Sequence, residues 1–223
     1  MKEKFQQLLE NIKKDLIFLA NKVEHNIRQA VKALEAQDVK LADQVASLDT
    51  EVDMMEVRIE DQILTLLALQ QPVAIDLRFI VGGLKMNNDL ERIGDHAVNI
   101  AATVPRMADK PVMDIISKIH EMNELSCKML HDVVSAFIHQ DAELARVVCA
   151  MDNEVDDFYE NIVEEILKII KEDVTKLEQG YALIRVARFL ERVGDLATNI
   201  AEDVVFMKEA KIIRHNKAEY EAS

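Results

Sequence analysis

Apolar residues recur every three or four positions along this chain, nearly from one end to the other. Leu41, Val45, Leu48, Val52, Met55, Ile59 and Ile63 form one such stripe, the spacing that keeps side chains on one face of a helix. Leu77, Ile80, Val81 and Leu84 open another, which continues with a shifted stripe through Leu90, Ile93, Ala97, Ile100 and Val104. Breaks are few. Gln70-Gln71-Pro72 and Asp109-Lys110-Pro111 are expected stops, because proline cannot donate to the preceding helical turn. Asp38 and Asp141 fit N-caps after short polar interruptions, and Glu172-Asp173-Val174-Thr175 fits a loop before the last helix. The pattern predicts six helices, at about 4–36, 38–69, 73–107, 112–139, 141–172 and 175–213.

The chain also repeats itself. Leu90-Glu91-Arg92-Ile93-Gly94-Asp95-His96-Ala97-Val98-Asn99-Ile100-Ala101 returns as Leu190-Glu191-Arg192-Val193-Gly194-Asp195-Leu196-Ala197-Thr198-Asn199-Ile200-Ala201. Earlier, Asp49-Thr50-Glu51-Val52-Asp53 aligns with Asp152-Asn153-Glu154-Val155-Asp156, and Asp38 with Asp141, at a slightly different offset that the extra Pro72 loop absorbs. Each repeat therefore holds three helices, with DxxxD on the second and ExxxDxxxN on the third. The expected fold is all-α: two tandem antiparallel three-helix bundles related by internal duplication, over 1–108 and 109–223.

Composition agrees with helices. Hydrophobic residues make up 49% of the 223 residues, with 5 Gly and 3 Pro, too apolar for a disordered chain and too poor in turn-formers for an all-β one. Lys and Arg number 27 against 41 Asp and Glu, a net charge of −14. That balance repels a phosphate backbone, argues against nucleic-acid binding and favours cations or basic protein partners. Cys127 and Cys149 form no CxxC, and Cys149 stands where the first copy has Ala46, so both are expected to be small buried residues. Met1-Lys2-Glu3-Lys4-Phe5-Gln6 leads into no apolar signal core, and no run approaches membrane-spanning length. The expectation is a soluble, cytoplasmic protein.

A core needs only apolar periodicity, so repeated acids call for another explanation. Residues four apart on a helix lie on one face about 5–6 Å apart. Glu91 and Asp95 thus present adjacent carboxylates with Asn99 one turn on, as do Glu191, Asp195 and Asn199. Both acid pairs project away from their own apolar stripe. Asp49 and Asp53, continued by Glu56 and Glu60, flank the stripe of the second helix, and Asp152 and Asp156 flank theirs. Single acidic pairs are common on solvated faces. Four pairs placed equivalently in two repeats instead point to a duplicated cation site, because oxygen donors suit hard or borderline ions such as Mg²⁺, Mn²⁺ or iron. The candidate metal ligands are Asp49, Asp53, Glu91, Asp95, Asn99, Asp152, Asp156, Glu191, Asp195 and Asn199. Gly94 and Gly194 lie inside helices, where Gly is worse than Ala by about 1 kcal/mol, and are expected to let another backbone or an ion come close. His96 has Leu196 as its counterpart and reads as a half-buried or solvated histidine; as a ligand it would serve the first site only. Met54, Met55, Met86 and Met151 read as packing residues.

From Asp76-Leu77-Arg78-Phe79-Ile80 through Asp89 to Ile100, and again in the second LERxGD phrase, the sequence closely resembles the PhoU family of phosphate-uptake regulators. The resemblance covers essentially the whole chain, and the acid pairs match that family's E(D)xxxD motif. It implies paired three-helix bundles carrying divalent or trivalent metal ions, iron clusters included, with Mg, Mn or Zn as other candidates. It further implies a homodimeric cytoplasmic adaptor that represses the phosphate-starvation response. Its implied partners are the ATPase of the phosphate ABC transporter and a sensor histidine kinase, so that it sits at the membrane through proteins alone.

Two other functions compete. A carboxylate-bridged di-iron enzyme or iron store would use Glu-x-x-His pairs pointing into a bundle core, yet no histidine here has a glutamate three residues before it. A plain helical scaffold would bind no metal. No nucleophile–base pair, Gly-rich phosphate loop or GxSxG phrase supports hydrolase or kinase chemistry, and the expectation is a protein that is not an enzyme.

Overall fold

Gln37 and Gln140 take left-handed backbone conformations, with φ of 52° and 53°, and so end the first helix of each repeat at the same place. The next residue then caps the following helix. Asp38 accepts from the Leu41 amide at 3.1 Å, and Asp141 from the Glu143 and Leu144 amides at 3.1 and 3.0 Å, satisfying N–H groups that lack an intrahelical partner. The computed structural model describes residues 2–108 and 110–213, and Asp109, part of one expected stop, lies outside the described residues. These hold α1 (Lys2–Ala36), α2 (Val39–Ser47), α3 (Asp49–Gln70), α4 (Ala74–Ala101), α5 (Ile116–His139), α6 (Ala142–Glu172) and α7 (Leu177–Glu209). Two 3₁₀ turns, Val104–Arg106 and Val174–Lys176, precede α5 and α7. Among the described residues there is no strand, and no helix is long and apolar enough to cross a membrane.

Four expected helices differ in detail, the last ending at Glu209 rather than 213 where Ala210 takes a left-handed conformation, φ 58°. The rod expected at 38–69 bends at Leu48, splitting into α2 and α3, because the Ser47 hydroxyl bonds the Gln44 carbonyl at 2.7 Å while the Leu48 amide turns to Val45. Such side-chain competition bends helices. The second repeat has Ala150 in that place, and α6 runs unbroken. The third helix stops at Ala101 rather than 107. Pro105, which has no amide hydrogen, confines the chain after Ala101 to a single 3₁₀ turn. The fourth begins at Ile116 rather than 112, since the linker is held non-helical by Gln37 Nε2 donating to the Lys110 carbonyl at 2.8 Å and Gln179 Nε2 to the Pro111 carbonyl at 2.7 Å.

The repeats share one core. α1, α3 and α4 pack as one bundle and α5, α6 and α7 as the other, while α4 lies on α7 and α1 on α5. Phe79 of α4 meets Phe137 of α5 with ring centroids 4.9 Å apart, both buried. Cys127 and Cys149 are buried free thiols, and burial pushes each up to about 12.

Candidate functional site

The glycines at the centre of the repeated phrase set the register of the acids. A Cβ on Gly94 would lie 3.1 Å from Val52 Cγ1 of α3, and one on Gly194 would lie 3.3 Å from Val155 Cγ1 of α6. Val52 and Val155 are themselves equivalent residues. Each glycine thus admits a valine side chain of the preceding helix rather than its backbone, with Asp152 Oδ1 also 3.3 Å from the Gly194 position, and brings the two helices close. Glu91 and Asp95 lie three before and one after Gly94; Asp49 and Asp53 lie three before and one after Val52. The same offsets hold for Glu191 and Asp195 about Gly194 and for Asp152 and Asp156 about Val155. Close packing therefore sets two carboxylates against two along one flank of α3–α4 and again of α6–α7. Each cluster comes from the second and third helical rods of a single repeat, a pairing that the sequence left open.

The electrostatics report the crowding. Burial first, then Asp95, Asp53, Glu56 and Asp49, hold the Glu91 carboxyl above its usual value. Asp49 is raised by burial and by Asp53 and Asp95, and Glu56 by burial and by Glu60 and Asp53. Across the second pair, burial, Asp195 and Asp156 raise Glu191 while Arg188 opposes them. Glu191 is the most enclosed of these acids, 9% exposed, and its Oε2 is buried without a hydrogen-bond partner. An orphaned carboxylate oxygen beside two further acids suits a cation. Among the described residues, no three His, Cys, Asp or Glu side chains converge closely enough to grip an ion; the acids face one another across each helix pair without meeting at one point. Asn99 and Asn199 lie one turn beyond the acids, and Asn99 Nδ2 donates to its own helix at the Asp95 carbonyl, 2.8 Å away.

His96 is not gathered with the acids. It lies between the repeats, its ring 5.6 Å from that of Phe189 in α7, and burial together with Arg192 and Arg92 lowers it to about 4, keeping the imidazole neutral.

The two sites differ in ways that a search for identical residues passes over. In the first, buried Asn87 donates to the Glu56 carbonyl at 2.9 Å and to its Oε1 at 3.3 Å, tying that acid beside Glu91. In the second repeat, Glu56 becomes Tyr159 and Asn88 becomes Arg188. Arg188 lies 5.4 Å above the Tyr159 ring and bonds Glu191 Oε1 at 2.9 Å, so the second cluster carries its own counter-ion. Comparing non-identical residues at equivalent positions is the signal that would have exposed this.

A profile of the PhoU domain matches residues 16–104 and 119–204, one match per repeat. The chain belongs to the PhoU family. Among PhoU proteins, the phosphate-specific transport system accessory protein PhoU homolog of Clostridium acetobutylicum is 35% identical over 213 residues, 95% of this chain and 97% of that one. The Aquifex aeolicus homolog is 38% identical over 207 residues, 93% of this chain and 94% of its own. The crystal structure of PhoU from Pseudomonas aeruginosa superposes with a TM-score of 0.89 at 32% identity, covering 93% of this chain and all of that one. PhoU from Streptococcus pneumoniae, described as a phosphate transport system regulatory protein, gives 0.87 at 27% identity, covering 93% and 98%.

Proposed function

We propose that this chain is a metal-binding accessory regulator of phosphate-specific transport, with one carboxylate site on the α3–α4 flank and one on the α6–α7 flank. The observation that carries this reading is the register of four carboxylates about each glycine–valine contact, with Asp49, Glu91 and Glu191 raised by burial and neighbouring acids. The acids would take a divalent or trivalent cation, iron by family resemblance, whose charge would cancel their repulsion across each helix pair. Asp49, Asp53, Glu91 and Asp95 would close on the first ion, and Asp152, Asp156, Glu191 and Asp195 on the second, by side-chain movement from their open spacing. The accessory role follows the names carried by the relatives in Clostridium acetobutylicum and Aquifex aeolicus. In this reading the protein is a non-enzymatic cytoplasmic homodimer, and the acidic flanks dock between the transporter ATPase and a sensor histidine kinase to restrain the starvation response.

Affinity recovery of the tagged protein from cells grown in high and low phosphate tests the role. Transporter and kinase components are expected to come down in phosphate-dependent amounts, and recovery of neither under either condition sinks the adaptor assignment. Metal analysis of protein purified without chelator tests the sites separately, with stoichiometric metal as the expected result.

The internal counter-ion gives a sharper expectation. Replacing Arg188 with Ala removes a cation from the second cluster but none from the first, so Mn²⁺ is expected to bind the second site several-fold more tightly and the first unchanged. The half-exposed pair itself contributes about 0–1 kcal/mol to folding. Calorimetric titration resolves the two classes of site, and equal affinities before and after the change would refute the asymmetry.

A further inference from the structure

α4 and α7 cross antiparallel, and residues of α7 are those of α4 plus one hundred, so the crossing relates the two repeats to each other. Arg78 Nε donates to the Met207 carbonyl at 3.0 Å, Lys85 Nζ pairs with Asp203 Oδ1 at 3.0 Å, His96 meets Phe189, and Thr103 and Arg185 line one cleft. Lys85 and Arg185 are equivalent, as are Asp203 and Thr103. Two equivalent clefts result, one at each end of the helix pair.

They are filled differently. In the Lys85 cleft, Asp203, 6% exposed, neutralises the lysine, and Phe206, Ile212 and Ile213 supply apolar walls. In the Arg185 cleft the carboxylate is replaced by Thr103, whose hydroxyl is committed to the Asn99 carbonyl at 3.1 Å, and Phe206 is replaced by Arg106. Lys110, Glu178 and Tyr181 complete a lining about an opening of about 400 Å³. Glu178 is spent on Lys110 at 3.0 Å and lies at the exposed rim. Among the described residues, neither Arg106 nor Arg185 pairs with a carboxylate; Arg185 rests on the Phe189 ring, 5.6 Å from its centroid. Two arginines unpaired with carboxylates thus line one cleft of a chain whose net charge is −14, at the place where the equivalent cleft holds a buried carboxylate.

We propose that this cleft binds an oxyanion of the phosphate class, whose charge takes the place that Asp203 fills in the equivalent cleft. Planar guanidinium groups match phosphate oxygens with paired N–H donors, and two of them suit a dianion. The cleft joins the end of the first repeat to α7, the third helix of the second, beside the linker that Gln37 and Gln179 hold, so a bound anion clamps the repeats together. This inference rests on the cleft alone and stands whether or not the acidic sites take metal.

Equilibrium dialysis of the full chain against radiolabelled inorganic phosphate at low ionic strength tests it. The expected result is one saturable site per chain, displaced by sulfate and not by chloride of equal ionic strength. Arg106→Ala and Arg185→Ala are each expected to weaken it about tenfold or more, the loss of one charge-assisted pair. Thr103→Asp, which restores the carboxylate of the equivalent cleft, is expected to abolish it. Arg106 is exposed, so its variant keeps the test open if Thr103→Asp fails to fold. No saturable binding at up to about 10 mM phosphate, or binding that survives the combined Arg106→Ala and Arg185→Ala change because phosphate sits elsewhere, overturns the proposal.

Discussion

Phe137→Ala is expected to cost about 3–5 kcal/mol and to do so in both repeats at once. Phe137 belongs to α5 of the second repeat, is fully buried, and packs on Phe79 of α4 in the first. Its ring also lies where a side chain on Gly82 would stand, with Phe137 Cε2 3.2 Å from that position, and close to Gly83. Those glycines let the ring seat against the α4 backbone, so on that side the helix offers no side chain of its own to fill the space its removal leaves. Large-to-small changes in such sites lose both the transfer energy of the deleted atoms and the contacts around the cavity. Because α4–α7 and α1–α5 packing joins the bundles into one core, the repeats are expected to unfold in a single transition. Urea denaturation followed by helical circular dichroism reads this as a lower midpoint with an unchanged slope. A loss below about 1 kcal/mol, or two separated transitions, would show that the bundles are independent.

The rods of this fold were legible because each carries a stripe, and the caps because Asp38 and Asp141 stand at equal places in both repeats. What the stripe did not show was backbone competition within a periodic segment. Ser47 and Pro105 leave the apolar spacing intact while diverting hydrogen bonds, so one rod bends and another ends early. The acids of the candidate sites were legible for a different reason: duplication preserved them off the core face, where packing makes no demand for charge. Their partnership was not legible. Acids that point away from their own stripe have two neighbouring faces to meet, and the choice is made by the fit of Val52 and Val155 against Gly94 and Gly194. Identity between repeats guided attention to shared acids and away from Arg188, Tyr159, Arg106 and Thr103, where the copies have diverged in charge.

Metal is expected to stabilise this protein strongly near neutral pH and hardly at all near pH 4. Asp49, Glu56, Glu91 and Glu191 all have folded pKa values above their ordinary 3.8 or 4.5, burial being the first cause and neighbouring carboxylates the next. A raised carboxylate favours the protonated form in the fold, so without metal its contribution is best below the unfolded pKa. It is lost as pH rises through the folded pKa and stays lost above it. A cation competes for the same oxygens and binds only their ionised form. Its stabilisation therefore grows over the window in which the metal-free protein weakens, reaching about 2.7 kcal/mol at a hundredfold excess over Kd. His96 works the other way: with a folded pKa of about 4 against 6.5, it costs stability as pH falls through 6.5. Comparing loaded and metal-free protein at each pH cancels that contribution, since His96 lies apart from the acids. The combined Glu91→Gln and Asp95→Asn change is expected to raise the metal-free melting temperature near neutrality, by relieving repulsion of a few tenths of a kcal/mol per pair. The same change is expected to remove the first site's share of the gain from Mn²⁺. Scanning calorimetry at about pH 4.5 and 7.5, with and without Mn²⁺, measures both effects. A wild-type protein indifferent to Mn²⁺ at the higher pH, or a variant stabilised there as much as the wild type, would mean that the repeated acids hold no ion.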